Sequence, residues 1–196
     1  KTTFMRQLLE RCRHDAVACS WITLEPADND INRFLDMLSL SLGRLIPGVD
    51  PDMQQQDQNG GFALHLIDCI ADAYAPFWLF LEYFDILHNA AVLALIQQLI
   101  AHLPQRARVI IGSRTLPDLG LGRLRARGAL LEVGSRQLRF SVDEASDLLT
   151  ERRHLELQGE QITRIHERTE GWPAALWLVS IALAQHADPT TVIDGF

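Results

Sequence analysis

Lys1-Thr2-Thr3, running directly into Phe4-Met5-Arg6-Gln7-Leu8-Leu9, has the residue types of the second half of a phosphate-binding loop. In such a loop the Lys ammonium reaches the β/γ-phosphates, the next hydroxyl binds Mg²⁺, and the following helix aims its N-terminus at the anion. The glycines that would precede this Lys are not in the sequence. Three residues of this kind also occur often by chance, so the rest of the chain must carry the assignment. After the apolar run Phe77-Trp78-Leu79-Phe80-Leu81 come Glu82, Tyr83, Phe84 and Asp85. A carboxylate there is where a Walker B residue holds Mg²⁺, with the next acid orienting the attacking water. Charged residues also end strands without any chemical role. After Arg108–Ser113 comes Arg114. At a strand tip it can report on a γ-phosphate by charge-assisted hydrogen bonding, or it can simply face solvent. Lys-Thr before a helix, an acid after one buried strand and an Arg after the next is the order of a P-loop ATPase. The joint pattern is stronger than any member.

Such groups converge only if a parallel sheet brings its carboxyl ends together, since open α/β sheets bind ligands along that edge. The chain has the required rhythm. Strands are predicted over 16–23, 77–81, 108–113 and 130–133. A helix carrying Phe34, Leu35, Leu38, Leu42 and Leu45 follows the capping groups Asp28-Asn29-Asp30. Further helices are expected over 62–74 and 90–103, the latter ended at Pro104. Pro47 to Gly61, with Gln54-Gln55-Gln56 and Asn59-Gly60-Gly61, reads as a polar surface loop. After Phe140 the pattern is helical only. Ser141-Val142-Asp143-Glu144 is a capping box, and helices are expected near 142–150, 160–169 and 174–186. Gly171-Trp172-Pro173 precedes the last, where Pro suits a first helical turn. The fold class expected is α/β, a P-loop NTPase-type parallel sheet flanked by helices, followed by a small all-helical domain. The boundary is drawn at 1–140 and 141–196.

Composition narrows the function classes. The 196 residues are 47% apolar and 22% charged, ordinary for a globular protein with a sizeable core. A net charge of −7 argues against this segment gripping nucleic acid by itself. Its one basic cluster, Arg123, Arg125, Arg127, Arg136 and Arg139, reads as solvated loop charge and a contact to the helical domain. No apolar run reaches the length of a membrane span, so no membrane partner is expected. Cys12, Cys19 and Cys69 lack metal-ligand spacing and read as reduced thiols of a cytoplasmic protein. Trp21, Trp78, Trp172 and Trp177 are expected in core or inter-domain packing.

Several stretches resemble one family. Ser20-Trp21-Ile22-Thr23-Leu24-Glu25 with Asp28-Asn29-Asp30 and Arg33-Phe34 are similar to the MalT-like, ATP-dependent LuxR-family transcriptional regulators. So are Gly112-Ser113-Arg114-Thr115-Leu116-Pro117, the run from Leu124-Arg125-Ala126-Arg127-Gly128 through Leu138-Arg139-Phe140, and Gly171-Trp172-Pro173-Ala174-Ala175-Leu176. The resemblance implies a STAND-class signalling ATPase: a nucleotide-binding domain, a helical domain, a repeat-based sensor and a C-terminal helix-turn-helix. It places ATP or ADP with Mg²⁺ on this chain. Lys1, Thr2 and Thr3 take the phosphate end, and Thr2 and Glu82 take the metal, with Glu82 as the catalytic Walker B carboxylate. Arg114 becomes the sensor arginine, and Pro173 lies near the adenine in a Gly-x-Pro motif. An inducer would act through the sensor and DNA through the helix-turn-helix, both outside this sequence, with nucleotide-dependent self-association.

Two departures from the family pattern matter. Its Walker B ends in two adjacent Asp residues, where this chain has Glu82-Tyr83, and Tyr83 cannot replace a carboxylate that orients water. Asp85 is expected to point elsewhere. ATP binding with very slow hydrolysis is therefore expected, at most a slow ATPase. Without the glycines and the first strand, residues 1–196 alone are expected to bind ATP weakly or not at all, with a sheet edge left unpaired. The rival readings are a P-loop ATPase that remodels protein or DNA, and a degenerate scaffold independent of nucleotide.

Overall fold

The computed structural model describes residues 1–50, 61–185 and 189–195. The chain divides into two compact units, Lys1–Leu130 and Leu131–Phe196. In the first, β1 (Ala18–Thr23), β2 (Phe77–Glu82) and β3 (Arg108–Gly112) form one parallel sheet in that order. β2 lies between the other two and is buried along most of its length, as an uninterrupted apolar run requires of a strand covered on both faces. The register sets Thr23 beside Glu82 and Glu82 beside Gly112. All three strands therefore end at one level, on one edge.

Alternation sorts the side chains between the two faces. Trp78 and Phe80, with Cys19, Trp21 and Ile110 from the flanking strands, pack against Met5, Leu8, Leu9 and Cys12 of α1 (Thr2–His14). Trp21 stacks on Phe80 with ring centroids 5.5 Å apart. Phe77, Leu79 and Leu81 enter the larger core on the other face, with α2 (Ile31–Gly43), α3 (Phe62–Ala71) and α4 (Ala90–Ala101). α2 starts where Asp30 accepts the N–H groups of Asn32 and Arg33, and its Phe34, Leu35, Leu38 and Leu42 are buried at helical spacing. Buried Asp28 is held by Arg33 Nε at 2.8 Å and the Glu25 N–H at 2.7 Å. A short α5 (Leu121–Ala126) follows β3, carrying Arg123 and Arg125.

The expected parallel sheet flanked by helices is thus present, with local differences. β1 begins after Ala16 and Val17, because Ala16 takes a left-handed φ of 53° as the chain turns out of α1. α3 stops at Ala71, where Asp72 and Ala73 N–H close its last turn, and Tyr74 is exposed. Residues 130–133 are not a strand: they pair with no other strand among the described residues, and Leu131 is exposed. A short apolar tetrapeptide becomes a strand only where it pairs with a neighbouring strand. Of the polar stretch 47–61, residues 51–60 lie outside the described residues.

The second unit is helical: α6 (Ser135–Leu138), α7 (Val142–Ser146) widening into a π turn over Asp147–Arg152, α8 (Gly159–Thr169), α9 (Pro173–Gln185) and α10 (Pro189–Gly195). The capping box forms: the Glu144 N–H reaches Ser141 Oγ at 3.2 Å, and the Ser141 N–H reaches Glu144 Oε2 at 2.8 Å. Leu149, Ile165, Leu176 and Val179 centre its core. Trp172 and Trp177 lie on the surface of this unit instead of in its core, with the Arg153 guanidinium 4.5 Å over the Trp177 ring. None of the described helices is long and apolar enough to cross a membrane.

Candidate functional site at the carboxyl edge of the sheet

The alternation that sends Trp78 and Phe80 to the α1 face sends Glu82 there as well. Glu82 is only 5% exposed. Thr2, the first residue of α1, donates its hydroxyl to Glu82 Oε1 at 2.5 Å. Among the described residues this hydroxyl is the carboxylate's one side-chain partner. A buried carboxylate with a single neutral donor is short of compensating positive charge. Thr2 and Glu82 offer hard oxygens, the donor type Mg²⁺ takes when one or two protein ligands share it with water and phosphate. Among the described residues no group of three or more His, Cys, Asp or Glu could hold a metal by protein ligands alone.

Lys1 is the N-cap of α1, its carbonyl accepting the Met5 N–H at 3.0 Å. Among the described residues no side chain caps that end, and first-turn N–H groups have the polarity that favours an anion. The Lys1 ammonium instead donates to the Ser113 carbonyl at the tip of β3, 2.7 Å away. Ser113 Oγ is buried beside it and has no hydrogen-bond partner among the described residues. Thr3 sits exposed in the same first turn. Met5 of α1 packs directly on Gly112, the last residue of β3, where a Cβ would meet its sulfur. The missing side chain leaves the Met5 thioether room to pack on the strand end, beside which Lys1 and Thr2 reach Ser113 and Glu82.

Beyond β2 the chain turns sharply. Tyr83 takes φ 60° and ψ 39°, a left-handed conformation that is an outlier for a bulky side chain. A 3₁₀ turn, Phe84–Ile86, follows and carries Asp85 back toward β3. Asp85 Oδ1 accepts the Arg114 N–H at 2.9 Å, and Oδ2 lies 3.9 Å from Arg114 Nε. Asn29 braces the same edge. It donates to the carbonyls of Pro26 and Ile86 at 3.1 and 3.0 Å and accepts the N–H groups of His88 and Asn89 at 2.8 and 3.0 Å. It thereby ties the connection after β1 to the connection after β2.

The fold therefore gathers Lys1, Thr2, Thr3, Glu82 and Arg114 at one edge of one unit. Pro173 belongs to the second unit, where it opens α9. The glycine of its motif has a local reason. Gly171 has φ 68°, and a Cβ there would collide with the Phe140 carbonyl oxygen. The Phe140 N–H donates to Gly171 O at 2.8 Å, and His166 Nε2 lies 2.8 Å from Phe140 O. Arg139 pairs with Glu170 at 2.8 Å. Ser113, Asp85 and Asn29 belong to this edge as well, although sequence alone assigns them no role in the site. Asp85, an acid shortly after a buried strand, turns to Arg114.

No protein-family profile matches the chain. Among solved structures, the fold is similar to that of a Signal Transduction ATPase with Numerous Domains (STAND) protein with a tetratricopeptide repeat sensor from Pyrococcus horikoshii. The TM-score is 0.55 at 17% sequence identity, over 80% of this chain and 23% of that one. The chain thus spans less than a quarter of that protein's length, and the likeness is one of fold.

Proposed function

We propose that this chain is the nucleotide-binding part of a signalling switch, and that its carboxyl edge takes ATP or ADP with Mg²⁺. The observation that carries the reading is the meeting of Thr2, Glu82 and Lys1: a buried carboxylate, a hydroxyl bonded to it and an ammonium, all at the start of α1. The STAND-like fold supports it. In this reading Lys1 and the first N–H groups of α1, with Thr3 beside them, hold the phosphates. Thr2 and Glu82 hold the metal. Mg²⁺ would supply neutralisation of phosphate charge. Arg114 addresses the γ-phosphate, so ATP and ADP make different contacts, the condition for a nucleotide to shift a conformational equilibrium. Pro173, in the helical part, 141–196, would lie near the adenine.

The finer reading follows the resemblance to MalT-like LuxR-family regulators. ATP would favour an assembled state active in transcription. An inducer would act through a sensor and DNA through a helix-turn-helix, both outside this sequence. Tyr83 leaves no second acid beside Glu82 to orient water, so turnover is slow. That same feature weighs against a remodelling ATPase.

The test is Lys1→Ala in the full-length protein, with Mg-ATP binding followed by calorimetry and inducible transcription followed in cells. Loss of both is expected. Retention of both would overturn the switch in favour of a scaffold. Single-turnover ATPase measurements on the full-length protein, with Tyr83→Asp alongside, test the slow step. Fast wild-type turnover left unchanged by the substitution would overturn it.

A further inference from the structure

We infer that Asp85 is a positioning residue for Arg114, and that through it the site distinguishes a nucleoside triphosphate from a diphosphate. This rests on the nucleotide reading above. Four observations carry it. Asp85 Oδ1 holds the Arg114 backbone N–H at 2.9 Å, a charge-assisted bond. Its Oδ2 faces Arg114 Nε at 3.9 Å, which leaves the two terminal nitrogens of the guanidinium fork unengaged among the described residues. Asp85 is largely enclosed, its side chain 17% exposed, whereas the Arg114 side chain is 74% exposed. The fixed member of the pair is thus the acid, and the free end is the arginine fork.

The fourth observation is the strained turn that puts Asp85 there. Without the left-handed Tyr83 and the 3₁₀ turn after it, the chain leaving β2 would not fold back across the tip of β3. Backbone strain of this kind persists only where its surroundings hold it. Here Phe84 is buried, and the N–H groups of Ile86 and Leu87 bond back to the carbonyls of Tyr83 and Phe84 at 3.1 Å each. Asp85 therefore fixes where β3 releases the chain, one residue after the Ser113 carbonyl that holds Lys1. Its carboxylate sets the starting point from which Arg114 reaches a terminal phosphate. ADP has no such phosphate, so the effect of Asp85 falls on ATP alone.

The experiment is calorimetric titration of the full-length protein with Mg-ATP and with Mg-ADP, comparing wild type, Arg114→Ala, Asp85→Ala and Asp85→Asn. The wild type is expected to prefer ATP, and Arg114→Ala to lose that preference. Asp85→Ala should reduce the ATP-to-ADP affinity ratio by about tenfold with ADP affinity unchanged. Asp85→Asn keeps an oxygen that can accept the Arg114 N–H and should restore most of the ratio. Should Asp85→Ala fail to fold, Asp85→Ser, too short to span to the amide, takes its place. A wild-type ratio in Asp85→Ala, beside a lost one in Arg114→Ala, overturns the inference and leaves the nucleotide reading standing. Asp85→Asn behaving like Asp85→Ala overturns the anchoring role. A wild-type protein that binds neither nucleotide, or an Arg114→Ala ratio equal to wild type, overturns the nucleotide reading and this inference with it.

Discussion

The Thr2 hydroxyl donates to the buried Glu82 carboxylate at 2.5 Å, joining the first residue of α1 to the last residue of β2. Removing the donor alone strands a buried charge, whereas removing both groups does not. Thr2→Val should therefore lower stability by about 1–3 kcal/mol. The Thr2→Val, Glu82→Leu double variant should cost less than the sum of the two single changes, because the polar pair leaves together. Denaturant midpoints at constant m-value give the comparison. Additive costs would mean that the two side chains do not depend on each other.

Gly171 and Gly120 separate two reasons for glycine. Both have positive φ, 68° and 64°, but only a Cβ at Gly171 meets a backbone atom, the Phe140 carbonyl oxygen. Gly120→Ala should cost only left-handed strain, about 1 kcal/mol. Gly171→Ala adds a collision that backbone cannot easily relieve and should cost about 3 kcal/mol. Thermal unfolding of the two variants side by side decides it, and equal losses would remove the Phe140 contact as the cause.

Asn29 holds four backbone groups at once. Asn29→Ala should cost about 2 kcal/mol, since partly buried partners lose their bonds. Asn29→Asp keeps an acceptor for the His88 and Asn89 N–H groups and loses the donors to Pro26 and Ile86. It should fall between wild type and Asn29→Ala in urea denaturation. A loss equal to that of alanine would assign the bracing to the donors alone.

Burial pushes the Cys12 thiol up, with Cys19 and Asp15 adding to it, and burial raises Cys69 beside Asp68 and Asp72. A folded thiol with a raised pKa keeps its proton when the unfolded thiol has lost its own. Its contribution to stability is therefore complete below the ordinary thiol range and declines as pH rises through and beyond it. Denaturation from pH 7 to 10 should show stability falling at the alkaline end, less so in Cys12→Ser, Cys69→Ser. Thiol labelling should reach Cys12, which is 3% exposed, only on unfolding. Fast labelling of Cys12 in the native protein would contradict its burial.

The sequence by itself determined the elements and which side chains share a face. Trp78, Phe80 and Glu82 are spaced by two, so any strand through them carries the acid on the face that holds the aromatic pair. Asp30 and Ser141 announced helix starts through short side chains that accept backbone N–H groups. The apolar run 77–81 announced a central strand. These rules act within a few residues and need no partner. What required a partner was not legible. Leu130–Val133 is apolar enough for a strand, yet it joins no ladder among the described residues. Trp172 and Trp177 are large and apolar, yet they face outward. The site itself was decided by tertiary structure. The sheet register aligned Glu82 with Gly112, α1 brought Thr2 to Glu82 and Lys1 to Ser113, and the left-handed Tyr83 brought Asp85 to Arg114. Each is a relation between residues far apart in the chain, set by steric fit and hydrogen-bond geometry that exist only once the sheet has formed.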